Sequence, residues 1–251
     1  MSERRRFLRN TVLALGGALA TGCDRISGSD DGVRVLEVGE SISRRVQRFL
    51  SPSRALAREY TEADISAVFK PNGTTLPDTP AYTSLMANEF ADYRLIVDGL
   101  VDHPAQLSVA ALRALGTRTQ ITRHDCVEGW SAIGKWTGTP LASVLDHVAP
   151  QATAKYVVFH CFDNMEEDTP YYESIDIDEA RHPQTLLAYA LNDAALPVPN
   201  GAPLRLRVER QLGYKQAKYI RRIELVASYD RIGDGGGGYW EDNGYEWYAG
   251  I

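Results

Sequence analysis

The run Thr122-Arg123-His124-Asp125-Cys126-Val127-Glu128-Gly129-Trp130-Ser131 sets a thiol between charged residues and a Gly-Trp pair. As a thiolate it would be a soft metal ligand or a nucleophile. A lone cysteine also serves as a small buried hydrophobe. Polar neighbours on both sides, and a glycine that lets backbone approach closely, favour a loop-borne thiolate at Cys126. The preceding Arg118 to Thr122 alternates and is rich in β-branched residues. It predicts a strand running into a loop at the cysteine, with His124 and Cys126 on one face.

A second constellation runs from Asn200 to Lys218. Leu204 to Val208 alternates so that Arg205, Arg207 and Glu209 share a face opposite Leu204, Leu206 and Val208. Lys215 and Lys218 follow within a few residues. Alternation alone reads as an exposed strand face. Cations gathered near Gly-containing turns in an acidic protein could instead hold an anionic group such as a phosphate. His124, His160, Tyr171 and Tyr172 are the candidates for acid or base work, and none stands out.

The elements that must position these groups read as mostly strand. Tyr93 to Val97, Tyr156 to His160 and Tyr219 to Val226 predict strands, with an Asp98-Gly99 turn after the first. Ser108 predicts the cap of a helix through Leu115, and Pro140 the first position of a helix to Val148. Phe69 to Pro80, rich in Pro, Gly, Asn and Thr, is a loop turning at Asn72-Gly73. Upstream, Val46-Phe49-Leu50 and Leu56-Ala57-Tyr60 suggest an amphipathic helix broken near Pro52, with Arg44, Arg45, Arg48, Arg54 and Arg58 as a solvated face. Short helices scattered among strands predict an α+β domain, largely β.

At 251 residues with 44% hydrophobic and 24% charged residues, the chain can build one sizeable core. A formal charge of −6 argues against a nucleic-acid binder. Arg4-Arg5-Arg6-Phe7-Leu8-Arg9 precedes a short apolar run from Thr11 to Ala20, which reads as an export signal. The paired arginines resemble a twin-arginine signal, and Ala20-Thr21-Gly22-Cys23 resembles a lipobox, so Cys23 is a candidate lipid anchor on a periplasmic protein. With Cys23 acylated, Cys126 and Cys161 could pair or stay apart. Retention of Cys126 by a metal is the favoured reading. The expected divisions are signal and lipobox over 1–23, linker and helix over 24–64, the main domain over 65–230, and a Gly-rich hinge with an aromatic tail over 231–251. That tail is too aromatic for a disordered segment; it folds back as a clasp or docks a partner.

Together these features resemble the sulfite oxidase family of molybdenum enzymes, from about Ile65 to Ala227. The pieces are RHDCVEGWS at 123–131, KWTGTPL at 135–141, YYESI at 171–175, HPQTLLAY at 182–189, NGAPLRL at 200–206 and GYKQAK at 213–218. The resemblance implies a mostly β, α+β molybdopterin-binding fold, with Mo-molybdopterin as cofactor and Cys126 as the metal's protein ligand. It implies that Asn72, Asn200, Arg205 and Lys218 hold the pterin and its phosphate, with backbone amides around Gln216 and Ala217. Cys161 falls at a cofactor-contact position where bacterial methionine-sulfoxide reductases carry threonine. Tyr171 matches a tyrosine lining the substrate pocket.

The reaction class implied is two-electron oxygen-atom transfer, with electrons exchanged one at a time with a partner such as a membrane haem protein. The segment Val127 to Ser131, and Pro71 before Asn72, lack the arginines that bind sulfite in true sulfite oxidases. The cysteine loop is closer to the bacterial reductase branch, whose substrates are neutral sulfoxides; the substrate is then a small-molecule or protein-bound sulfur oxide or N-oxide. A cysteine-nucleophile enzyme and a non-catalytic lipoprotein that keeps the fold are the rival readings.

Overall fold

Residues with alternating burial build two five-stranded sheets in the computed structural model, which describes residues 55–166 and 169–251. In chain order the elements are α1 (Pro80–Ala87), β1 (Leu95–Gly99), β2 (Ala105–Leu107), α2 (Val109–Ala114), β3 (Arg118–Asp125), β4 (Ser131–Pro140), α3 (Leu141–Val148), β5 (Tyr156–Asn164), β6 (Pro170–Asp176), α4 (Ile177–Ala180), β7 (Leu186–Leu191), β8 (Ala194–Ala195), β9 (Arg205–Arg207), β10 (Ile220–Val226) and α5 (Tyr239–Asp242). The first sheet runs β2-β1-β10-β5-β6, with β1 and β10 parallel and the other pairs antiparallel. The second is antiparallel throughout, β3-β4-β7, with β8 and β9 both on β7. The mostly-strand α+β class expected from the sequence is the one found.

The main core is apolar and draws on both sheets. On α3, Leu141, Val144, Leu145 and Val148 follow helical spacing and are all fully buried, each side chain stabilising by about 1.5–3 kcal/mol. Ser108 caps α2 by accepting from the Ala111 amide at 3.1 Å, as its position predicts. A second, smaller cluster forms around Trp136, with Phe69 packed edge-on at 5.0 Å.

Several local expectations shift. Pro140 is the last residue of β4 and caps α3 from outside; the helix begins at Leu141. Asp98 and Gly99 belong to β1, held in register with Glu224 and Leu225. Leu56 to Tyr60 is not helical. Its backbone bonds elsewhere, Ala57 to both ends of the Gln184 amide (2.8 and 3.0 Å) and Tyr60 to Ile121 O (2.8 Å), so no helical ladder can form. The rest of that expected helix, and the whole export signal, lie outside the described residues.

The aromatic tail packs back on the domain. Trp247 Nε1 donates to Ser174 Oγ (2.8 Å), and Tyr214 OH to Glu246 O (2.7 Å). Ile251 N donates to Arg210 O (3.0 Å). Among the described residues, no helix is long and apolar enough to cross a membrane.

Candidate functional site

Cys126 opens the hairpin turn that joins β3 to β4. Its amide donates to Trp130 O at 2.9 Å and its carbonyl accepts from Gly129 N at 3.0 Å. The turn needs a left-handed residue, which Gly129 provides at φ +85°. The thiol is 8% exposed and lines a cavity of about 560 Å³. Four other segments close this cavity: the 72–74 loop, the end of β5 with Asp163 and Met165, Tyr171 of β6, and the 213–218 stretch. Trp240 of α5 completes it, so the tail contributes a wall.

The cavity gathers Asn72, Cys126, Tyr171, Gln216 and Lys218 among the sequence-predicted residues. Cys161, Asn200, Arg205 and Ala217 are buried but do not line it. Arg205 stands one layer behind, donating to the carbonyls of Asn200 (2.9 Å) and Gln216 (3.4 Å). Cys126 and Cys161 are both free thiols. The Gln216 amide closes a tight turn onto Gly213 O at 3.1 Å, so that amide is already committed.

The face carrying Arg205, Arg207 and Glu209 is not exposed, against the simplest reading of its alternation; all three residues are buried. The reason is that β3 opposes them with a polar inner face of Gln120, Thr122 and His124. Arg207 grips Glu209 with two bonds (3.0 and 2.6 Å) and donates to His124 Nδ1 at 3.1 Å. Gln120 donates to Glu209 at 2.8 Å. Both guanidiniums lie over Trp136, at 5.0 and 4.4 Å. Burial, then Arg207 and Arg205, hold the His124 pKa well below the usual histidine value. It is therefore a neutral imidazole, with its hydrogen on Nε2 because Nδ1 accepts from Arg207. Gly213 runs against that edge: a Cβ there would stand 2.5 Å from Nε2, so only glycine fits.

Cys126 is not a self-activated nucleophile. Burial raises its pKa, and the charge of Glu128 adds to the rise. His160 pairs with Glu224 at 2.9 Å, and with Tyr172 it lines a different cavity of about 700 Å³. The expectation of a thiolate therefore needs a metal to draw the proton off.

Whether the residues fit a phosphorylated pterin can be judged from buried polar atoms that lack partners. Asn72 Oδ1, Asn200 Nδ2, Asp163 Oδ1 and Arg205 Nε are all of this kind, and all lie in or beside the cavity. Two buried guanidiniums face one carboxylate, so a positive charge is left over; burial lowers the Arg205 pKa to about 9, which keeps it charged at neutral pH. Lys218 is the one cation lining the cavity among the described residues. Its ammonium is held by the carbonyls of Asn72 (2.6 Å), Pro199 (3.0 Å) and Thr74, and burial brings its pKa down to about 7. A thiol, unpartnered amides and a surplus buried cation suit a polar, anionic cofactor.

Sequence reasoning missed Asp163, Glu128, Gly213 and Trp240 as members of this site. Glu128 sat in the cysteine segment itself, and Asp163 is two residues beyond Cys161 on the same strand face. Trp240 had no local signal.

A family model for the oxidoreductase molybdopterin-binding domain matches residues 82–231. Over 250 residues the chain is 38% identical to a putative protein-methionine-sulfoxide reductase subunit YedZ1 of Azospira oryzae, covering 100% of this chain and 88% of that one. It is 41% identical over 140 residues to the protein-methionine-sulfoxide reductase catalytic subunit MsrP of Xanthomonas campestris pv. campestris, covering 52% of this chain and 44% of that one. The chain thus spans less than half the length of the MsrP relative. Among solved structures, the sulfane dehydrogenase SoxCD of Paracoccus pantotrophus is similar at TM-score 0.50 and 21% identity, covering 55% of this chain and 39% of that one. That likeness is one of fold.

Proposed function

Because the chain belongs to the oxidoreductase molybdopterin-binding domain family, and is thus a molybdopterin oxidoreductase, we propose that it reduces neutral sulfoxides such as methionine sulfoxide, with Cys126 as the protein ligand to molybdenum. Bound in the cavity, the cofactor would supply two-electron oxygen-atom transfer. The residues that would hold it are Asn72, Asn200, Arg205 and Lys218, with Gln216, Ala217 and Cys161 packed against them.

One observation carries the choice of substrate: among the described residues, the cavity wall offers no cation that is not already engaged. Lys218 is fully engaged by carbonyls, and Lys70 is an exposed partner of Glu128 at 3.8 Å. A sulfite dianion would have nothing to compensate it. Val127, Met165, Tyr171 and Trp240 offer apolar surface that accepts a thioether chain and excludes water. Tyr171 donates its hydroxyl to Tyr214 O at 2.5 Å, which fixes its ring as a wall. The names of the YedZ1 and MsrP relatives, which specify protein methionine sulfoxide, support the same class.

The rest of the reading concerns place and partner. Residues 1–23 would act as a twin-arginine export signal ending in a lipid-anchored Cys23, which puts the enzyme in the periplasm at the membrane. Residues 24–64 would link it to the domain at 65–230, with 231–251 as hinge and clasp. Electrons would come from a membrane haem protein. Initial rates with a reduced viologen dye test the substrate: methionine sulfoxide is expected to be turned over, and sulfite with an electron acceptor is not. Faster oxidation of sulfite would refute the reading.

A further inference from the structure

Reducing a sulfoxide consumes protons, and the cavity holds several groups that could give one. Balanced, R2SO + 2 H⁺ + 2 e⁻ gives R2S + H2O. The S–O bond breaks, the electrons come from the one-electron donor, and the oxygen leaves as water.

Most proton-bearing side chains on the cavity wall are already committed. The Tyr171 proton goes to Tyr214 O (2.5 Å) and the Tyr214 proton to Glu246 O (2.7 Å). The three protons of Lys218 go to three carbonyls. Glu128 is exposed, its Oε2 accepting from the Trp130 indole at 3.0 Å. Asp163 differs: it lines the same cavity as Cys126, is 3% exposed, and its Oδ1 has no partner. No cation stands within ion-pair distance of its carboxyl among the described residues.

We propose that Asp163 is the general acid of the site, donating its carboxyl proton to the sulfoxide oxygen as the S–O bond breaks. This rests on the sulfoxide-reductase reading above. After the first transfer the carboxylate takes a proton from solvent and delivers the second the same way, so one side chain meets the demand of the overall reaction.

Burial, the largest influence, raises the acid to about 6, while hydrogen bonds from its own backbone and Thr74 and the charge of Lys218 hold it down. An acid near 6 is still part-protonated close to neutral pH and gives up its proton readily. The groups facing it are Lys218 and Tyr219 beside β10, Tyr82 of α1, Tyr171 of β6 and Cys161 of its own strand. Burial keeps the three phenols and the thiol neutral across this range. Lys218, near 7, is the one other group that titrates there.

The test compares wild type, Asp163→Asn and Asp163→Glu in the loaded full chain. Three readouts are taken: molybdenum and pterin content, the infrared band of a protonated carboxyl from pH 4 to 9, and kcat for methionine sulfoxide over that range. Wild type is expected to show a carboxyl band lost as pH rises through about 6, and a kcat that falls with it. Asp163→Asn is expected to keep cofactor content and KM, lose the band, lose that limb of the profile, and drop in kcat on the order of 100-fold. Asp163→Glu should restore part of the rate with the limb displaced. An unchanged profile or band in Asp163→Asn overturns the proposal, and so does an Asp163→Asn protein that fails to retain pterin, which would make the residue a cofactor anchor. A loaded wild type inactive on every sulfoxide refutes the function itself and takes the proton donor with it; an active wild type with an unaltered variant refutes the donor alone.

Discussion

Two buried charge clusters solve opposite problems. Arg205, Arg207 and Glu209 leave one positive charge over; Glu173, Lys215 and Glu241 leave one negative charge over. In the second, Lys215 bonds Glu173 at 2.5 Å and Glu241 as well, all three fully buried or nearly so. Burial holds Glu173 well above the usual carboxylate range, with Glu241 adding to the rise and Lys215 opposing it, so the surplus leaves by taking up a proton. A guanidinium has no such exit near neutral pH, since Arg205 would have to reach about 9. The acidic cluster is self-sufficient and pins the tail through Glu241, whereas the basic one would be completed by the anionic cofactor proposed above. On that proposal the first kind of cluster builds fold and the second kind serves a site.

Removing the central lysine should do the most damage. Lys215→Met leaves two buried carboxylates without their cation and is expected to cost about 3–5 kcal/mol in chemical denaturation, part of it recovered by adding Glu173→Gln. No loss of stability would mean the tail is not held there. Asp163 is the intermediate case, a lone buried acid that also discharges by protonation. Its folded value, about 6 against 3.8, lies above the unfolded one. The protonated group therefore contributes stability present in full below pH 4 and lost as pH rises through 6, by about 3 kcal/mol. Asp163→Asn should flatten that slope.

Arg205→Met reverses the pattern seen at Lys215. Stability of the cofactor-free chain should change by less than about 1.5 kcal/mol, because a surplus charge is removed along with a contact to Trp136. Pterin affinity should fall about 10- to 100-fold. Equal affinity in the variant would break the contrast between the clusters. The smallest effect belongs to Lys70→Ala, which removes an exposed partner of Glu128 at 3.8 Å and should shift stability by no more than about 0.5 kcal/mol.

How far this was legible in the sequence depended on whether a pattern was local. The strand into Cys126 follows from a period of two and the helix ending at Val148 from the proline at its start, and the structure places both there, the helix beginning one residue later. The inward-facing Arg205 and Arg207 were the harder case. Strand alternation says that two faces differ but not which is covered, and only the pairing of β9 with β7, opposite the polar face of β3, buries them. Leu56 to Tyr60 read as helix because its spacing was amphipathic, yet Gln184 and Ile121, far along the chain, claim its backbone. Trp240 and Asp163 reach the site only by packing beside the 72–74 loop and Cys126, segments far from them in the chain, and no local pattern encodes that.

The central claim is that Cys126 binds molybdenum in a cavity that also holds a phosphorylated pterin. Molybdenum X-ray absorption on wild type and Cys126→Ser, with metal and pterin content measured on the same samples, tests it most directly. The account predicts near-stoichiometric molybdenum in the wild type and loss of one sulfur neighbour, with pterin largely retained, in Cys126→Ser. An identical sulfur shell in the two proteins, or a fully active wild type without molybdenum, would contradict it.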